Sequence, residues 1–318
     1  MIRARIRTPS RLHFGLLARG ADAPRQFGGV GLMVDAPGLE VVAEPSPTWR
    51  AEGPCSARVL QVAERAARLE PTLGPATFRV VSAPPEHVGL GSGTQLALAV
   101  AKVLTTLAGR PAVPIAELAR LAGRGLRSGI GLHGFASGGL IVDGGRGRPD
   151  GIPPQLARLD LPAAWSVLIV IPPLALGLHG PAELRAFAEL PPIPAARTDH
   201  LCRLVLLGLL PAAAEADLPG FGAALEAIQD LIGRSFAPAQ AGPFAHPQLA
   251  EIAAHLRSAG LHGVGQSSWG PALYAFAEAP DDVLKARIVR DLQSRFAIEP
   301  VAVTWTNPNR HGVEEVND

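Results

Sequence analysis

Glycines at 89, 91 and 93 punctuate the run Pro85-Glu86-His87-Val88-Gly89-Leu90-Gly91-Ser92-Gly93-Thr94-Gln95, which leads into the apolar stretch Leu96-Ala97-Leu98-Ala99-Val100-Ala101. A glycine admits backbone geometries and close approaches that a Cβ hinders, and the N–H groups and dipole at a helix start favour an anion. The segment predicts a cradle in which Gly89, Gly91, Ser92, Gly93, Thr94 and Gln95 surround a phosphate, with Ser92 and Thr94 adding hydroxyls to the amides. It is not a Walker A loop, since no lysine follows the last glycine. Nor is it a dinucleotide fingerprint, since Thr94 follows Gly93 at once. A glycine turn before an ordinary helix shares the pattern.

Four further glycine-punctuated segments carry polar groups. In Thr8-Pro9-Ser10-Arg11-Leu12-His13-Phe14-Gly15, Arg11 and His13 lie two apart and share one face of an extended strand. Both could address an anion; an exposed basic strand edge has the same spacing. Arg25-Gln26-Phe27-Gly28-Gly29-Val30-Gly31 reads as a loop covering a substrate, with Arg25, Gly28 and Gly29 as contacts, or as a plain glycine hairpin. The stretch from Arg127 to Gly139 offers Arg127 and His133, the latter more often a structural hydrogen-bonder than a catalyst in such a setting. No carboxylate occurs between Glu117 and Asp143, so this stretch holds no Asp or Glu base. Gly263-Val264-Gly265-Gln266-Ser267-Ser268-Trp269-Gly270-Pro271 sets neutral donors beside a flat aromatic face. That suits a sugar or an arene more than the alternative, a tight turn with a packed tryptophan. Asp35 and Asp143 are candidate metal contacts, although carboxylates at strand ends and turns are more often simply solvated.

The elements that must hold these groups belong to a chain of 318 residues, enough for two lobes, with 47% apolar and 18% charged residues. Twenty-nine basic against 28 acidic residues leave a formal charge of +1. Bulk charge therefore points to no nucleic-acid or membrane-surface partner, and any anion is bound locally. Cys55 and Cys202 are too few for a disulfide framework, and a reduced compartment is the simpler setting. The stretch Met1 to Arg7 lacks the apolar core of a signal peptide and reads as a first strand. The apolar runs at 167–178 and 204–210 fall short of a membrane span. The expectation is a soluble, cytoplasmic protein; a homodimer is compatible with the sequence, which does not fix the assembly.

Alternation or β-branched content predicts strands over 2–7, 39–43, 77–82, 138–145, 165–171, 272–277 and 298–305. Helical spacing covers 56–69, 93–108, 114–126, 198–210, 221–232, 247–258 and 281–295, the last opened by Asp281 and Asp282. The Gly-, Pro- and Arg-rich segment 146–154 reads as a linker. The expected fold is α+β: an N-terminal mixed α/β lobe over 1–150 and a C-terminal α+β sandwich lobe over 151–318.

Taken in order, the segments resemble the GHMP superfamily, named for galacto-, homoserine, mevalonate and phosphomevalonate kinases. Its early proline-containing strand motif matches Pro9 to Gly15, its phosphate loop matches Pro85 to Gly93, and its late glycine-rich motif matches Gly263 to Gly270. Gly93 stands where the kinases usually carry Ser or Ala, and Gly131 where mevalonate-type kinases place a catalytic aspartate. Losing that aspartate removes the usual acceptor of the substrate's hydroxyl proton and argues against a kinase. The wording Ser10-Arg11-Leu12-His13-Phe14-Gly15, Gly89 to Gln95 and Gly265 to Pro271 resembles the β-ribofuranosylaminobenzene 5'-phosphate synthase family. The resemblance implies condensation of 5-phosphoribosyl 1-diphosphate with 4-aminobenzoate or 4-hydroxybenzoate, with loss of carbon dioxide and diphosphate, toward tetrahydromethanopterin-type carriers. It implies Mg2+ as cofactor, with Arg11, His13, Gln266 and Ser267 as catalytic groups and the loop 89–95 on the phosphates. Arg25, Gly28, Gly29, Arg127, His133, Ser268 and Trp269 would then contact substrate. An ATP-dependent small-molecule kinase, and a non-catalytic binding module of the same fold, are the competing readings.

Overall fold

The computed structural model describes residues 3–20, 23–125, 127–149, 151–175, 180–240 and 242–316. The chain opens with two long strands, β1 (Ala4–Ala18) and β2 (Phe27–Pro45), then the short β3 (Arg50–Glu52), α1 (Ser56–Leu69) and β4 (Ala76–Ser82). Helices α2 (Ser92–Leu107), α3 (Ile115–Ala122) and α4 (Ile130–Ser137) follow, then β5 (Leu140–Asp143), β6 (Gln155–Leu159) and β7 (Trp165–Val170). The next stretch is helical: α5 (Gly180–Glu189), α6 (Ala195–Leu204), a π turn at Val205–Leu209, α7 (Leu210–Ala214), α8 (Leu218–Gln240) and α9 (Pro247–Ser258). The chain closes with β8 (His262–Gln266), β9 (Leu273–Glu278), α10 (Asp282–Phe296), a 3-10 turn at Pro300–Ala302, β10 (Val303–Thr306) and β11 (Glu314–Glu315).

Two sheets organise these elements into the expected α+β fold. The first runs β11-β1-β2-β4-β3, with β5 beside β2 and β6 beside β5; the second runs β10-β7-β9-β8. Helices α1, α2 and α3 cover the first sheet, burying Val59, Ala97, Val100 and Leu121 with Ile6, Val41 and Phe78. Helix α2 is buried almost all round, which its alanines permit by letting neighbours approach closely. Strand β7 alternates strictly. Val167 and Ile169 join a core shared with Leu12, Phe14 and Leu32 of the first sheet and Phe221 and Ile228 of α8, whereas Leu168 and Val170 pack toward Ile252 of α9 and Ile288 of α10. Both faces are covered, hence the unbroken apolar run.

Several expectations are corrected. Segment 25–31 is not a covering loop: β2 begins at Phe27, and Gly29 and Gly31 pair with β1 on one side and β5 on the other. Glycine is needed there for close approach, since a Cβ on Gly31 would come within 2.4 Å of the Leu12 carbonyl oxygen. The stretch 127–139 contains α4, whose periodicity is masked by Gly134, packed so tightly that a Cβ would meet Met33 Sδ at 2.2 Å. Segment 146–154 does not separate two lobes. It links β5 to β6, which pair from Leu140↔Leu159 to Asp143↔Gln155, so the boundary expected at 150/151 falls inside the first sheet. The strand expected over 298–305 starts only at Val303, and the helix expected over 198–210 passes through the π turn. No helix among the described residues is long and apolar enough to cross a membrane.

Candidate active site

The first sheet, α2, α5 and α8 enclose a cavity of about 650 Å3. One part of its lining is the glycine turn. Gly89 and Gly91 have φ of +101° and +70°, values that favour glycine. A Cβ on Gly89 would overlap the Ser267 carbonyl oxygen at 2.2 Å. The N–H groups of Thr94 and Gln95 donate back to the Gly91 carbonyl at 2.9 and 3.2 Å, which leaves those of Ser92 and Gly93 for a ligand. Ser92 and Thr94 line the cavity. Gln95 does not. It is buried, and its Nε2 donates to the Gly131 carbonyl oxygen at 3.0 Å, fixing α2 against α4 rather than facing a phosphate.

Arg11, Arg58, Arg124, Arg127 and Arg146 also line the cavity, and no described lining residue is Asp or Glu. A lining that carries five arginines and, among the described residues, no Asp or Glu favours an anion. The remaining lining is aromatic. Phe187 of α5 stacks on Trp269 with centroids 4.6 Å apart and 11° between planes, and Phe236 of α8 meets Trp269 edge-on at 5.2 Å. The Arg127 guanidinium lies 5.1 Å from the Phe187 ring centre and that of Arg146 lies 5.1 Å from Phe27. The glycine turn, the arginines and a flat aromatic wall thus share one cavity.

His13 is buried and does not serve as a cation. The Gly15 N–H donates to its Nδ1 at 3.2 Å, so the ring proton sits on Nε2, which donates to Ser128 Oγ at 3.2 Å. Ser128 Oγ donates in turn to Asp143 Oδ2 at 3.2 Å. Burial, reinforced by Arg11 and Arg127, holds the imidazole well below its ordinary value of 6.5. Asp143 is fully buried and receives the N–H groups of Gly129 and Gly145 at 2.8 and 2.9 Å; burial raises its pKa although these hydrogen bonds oppose the shift. It is neither solvated nor facing the cavity. Asp35 is exposed, accepts from Asn309 Nδ2 at 2.9 Å, and is also outside the lining.

The late glycine-rich segment acts as a clamp. Ser267 Oγ donates to the Gly89 carbonyl oxygen at 2.8 Å and accepts the His13 N–H at 3.0 Å, binding β1 to the cradle from outside the cavity. Gln266 reaches the lining, yet its amide is engaged by the Ala245 N–H and the Ser268 carbonyl oxygen, at 2.9 and 3.1 Å. Ser268 and Trp269 line the cavity directly. Arg25, Gly28, Gly29 and His133 do not. Arg25 ties β2 to the turn after β5 through the Gly144 and Gly145 carbonyls, at 2.6 and 2.8 Å for its best contacts. His133 Nε2 lies 2.8 Å from the Pro153 carbonyl oxygen. Arg58 and Phe187 lie outside the glycine-rich segments, and the hydrogen bonds that tie His13 to Ser128 and Ser128 to Asp143 join segments far apart in sequence, so these groupings were not legible.

The described lining of the cavity offers magnesium no Asp or Glu ligand. Among the described residues no three His, Cys, Asp or Glu side chains gather, and Glu86, beside the cradle, is paired with Arg58. Magnesium at this cavity would have to arrive on the phosphate oxygens of a ligand.

Residues 57–139 match the GHMP kinases N terminal domain family and residues 209–298 the GHMP kinases C terminal family. The chain is 36% identical over 327 residues to a beta-ribofuranosylphenol 5'-phosphate synthase of Archaeoglobus fulgidus, covering 98% of each chain. It is 34% identical over 304 residues to a protein of the same name from Methanothermobacter thermautotrophicus, covering 88% of this chain and 91% of that one. In fold it is similar to the homoserine kinase of Cytophaga hutchinsonii, with a TM-score of 0.67 at 17% identity over 99% of this chain and 97% of that one.

Proposed function

The chain belongs to the beta-ribofuranosylphenol 5'-phosphate synthase family, and from that premise we propose that it joins 5-phosphoribosyl 1-diphosphate to a 4-substituted benzoate. The ring carbon that bears the carboxylate attacks the anomeric carbon, and the carbon–oxygen bond to diphosphate breaks. The bond to the carboxylate then breaks, carbon dioxide leaves, and its electron pair restores the aromatic ring. The phenol in the relatives' name favours 4-hydroxybenzoate over 4-aminobenzoate as the acceptor.

The observation that carries this reading is the pairing of an arginine-rich lining, without Asp or Glu among the described residues, with an aromatic stack in one cavity. Departure of diphosphate leaves an oxocarbenium-like ribose, so stabilisation of the leaving anion is the main demand on the protein. The Ser92 and Gly93 N–H groups, the Ser92 and Thr94 hydroxyls and Arg11 supply it. The Phe187–Trp269 stack, with Phe236 at its edge, receives the arene. Magnesium carried on the donor's diphosphate would share the leaving group's charge. No protein base is needed, which agrees with glycine at 131 and with the absence of Asp and Glu from the described lining.

Turnover assays separate this reading from a kinase. Incubation with the sugar diphosphate, magnesium and either benzoate should consume both substrates, while ATP with a panel of alcohols should give no phosphorylation. ATP-dependent phosphorylation without consumption of the sugar diphosphate would overturn the reading; binding of both substrates without turnover would favour a binding module.

A further inference from the structure

Gly93 lies in the first turn of α2, and unlike Gly89 and Gly91 its φ is not positive. Its backbone therefore does not call for glycine. What calls for it is space: a Cβ at 93 would stand 2.8 Å from Arg58 Nη2, 3.0 Å from Cζ and 3.1 Å from Nη1. Arg58 comes from the first turn of α1, far from the glycine-rich motifs, and reaches the cavity beside Gly91, Ser92, Gly93 and Thr94. Its Nη1 is paired with the Glu86 carboxylate on the loop entering the cradle, so the guanidinium is anchored from behind. Nε and Nη2 have no acceptor among the described residues.

We propose that Arg58 is a phosphate-binding residue of this site, and that residue 93 is glycine in order to admit it. The diphosphate of the donor takes the open edge of the guanidinium together with the N–H groups of Ser92 and Gly93. A planar guanidinium with two parallel donors matches phosphate oxygens in a way a single ammonium does not. The identity of the ligand rests on the reading above; the anion site itself does not.

Titration calorimetry with inorganic diphosphate as the probe tests this on wild type, Arg58→Ala, Gly93→Ala, the double variant and Glu86→Gln. Gly93→Ala should keep the wild-type unfolding temperature, because the added methyl meets only the end of a flexible side chain and alanine favours a helix. It should nevertheless weaken diphosphate binding about 10- to 100-fold, as should Arg58→Ala, the range expected for a lost charge-assisted contact. The double variant should bind no worse than Arg58→Ala alone, since both changes remove the same contact. Glu86→Gln, which keeps the guanidinium, should retain binding. Unchanged affinity in Arg58→Ala, losses that multiply in the double variant, or a Glu86→Gln loss equal to that of Arg58→Ala would each overturn the assignment. Arg58-dependent diphosphate binding by a wild-type protein that releases no carbon dioxide would keep this site and remove the proposed reaction instead.

Discussion

Replacing Gly131 by aspartate restores the carboxylate that mevalonate-type kinases carry, and the geometry shows where it would go. A Cβ at 131 stands 3.1 Å from Thr94 Cγ2 and 3.8 Å from Gln95 Nε2, so the side chain would extend toward the cradle. Two like unit charges about 5 Å apart repel by about 3 kcal/mol at an effective dielectric of about 20, the scale expected for a carboxylate there facing an anion on the cradle. That corresponds to a donor affinity lower by roughly two orders of magnitude. The fold should survive, because an acidic residue in the first turn of α4 suits the helix dipole and the Thr94 methyl needs to give only slightly. Gly131→Asn supplies nearly the same bulk without the charge. Calorimetric titration with 5-phosphoribosyl 1-diphosphate should show a large loss for Gly131→Asp and a small one for Gly131→Asn. Wild-type affinity in the aspartate variant, or equal losses in both, would refute the electrostatic explanation for glycine at this position.

Phe187→Ala removes half of the aromatic stack and should raise the KM for the benzoate about 10-fold, from a stacking contribution of about 0.5–1.5 kcal/mol plus lost apolar contact; an unchanged KM would exclude this wall as the acceptor site. Gly89→Ala forces a side chain onto φ +101° and into the Ser267 carbonyl oxygen, and should destabilise by about 2–4 kcal/mol, read as a lower urea midpoint. His13 makes stability depend on pH. Its folded pKa lies below 6.5, so the unfolded chain takes up the proton first; the contribution is present above 6.5 and is lost as pH falls below it, at up to about 1.4 kcal/mol per pH unit. Urea midpoints measured from pH 8 to pH 5 should decline more steeply in wild type than in His13→Gln, and parallel curves would contradict a neutral, buried imidazole.

The cradle was legible because its glycines answer to a local rule: two of them, Gly89 and Gly91, hold positive φ immediately before an apolar helix. Its third glycine has a different cause, the Arg58 guanidinium, which no local pattern reveals. The start of strand β2 resembles a loop in sequence because glycines that let strands approach look the same as glycines that let a loop turn. Helix α4 leaves no periodic signal in the sequence because Gly131 and Gly134 interrupt the apolar spacing that marks a helix. The chain from His13 through Ser128 to Asp143 joins three separate segments, and only burial distinguishes Asp143 from an ordinary turn carboxylate. Ser267 and Gln266 were found by motif, but their neutral donors proved to be engaged with backbone that shapes the site. The aromatic stack depends on Phe187, from a helix whose sequence carries no sign of a partner at Trp269.

Carboxyl-labelled 4-hydroxybenzoate, incubated with 5-phosphoribosyl 1-diphosphate, magnesium and the purified protein, tests the assigned chemistry most directly. Labelled carbon dioxide should appear in equal amount with diphosphate, and only when both substrates are present. Diphosphate release with the label retained on the arene, or no release of either under conditions where both substrates bind, would contradict it.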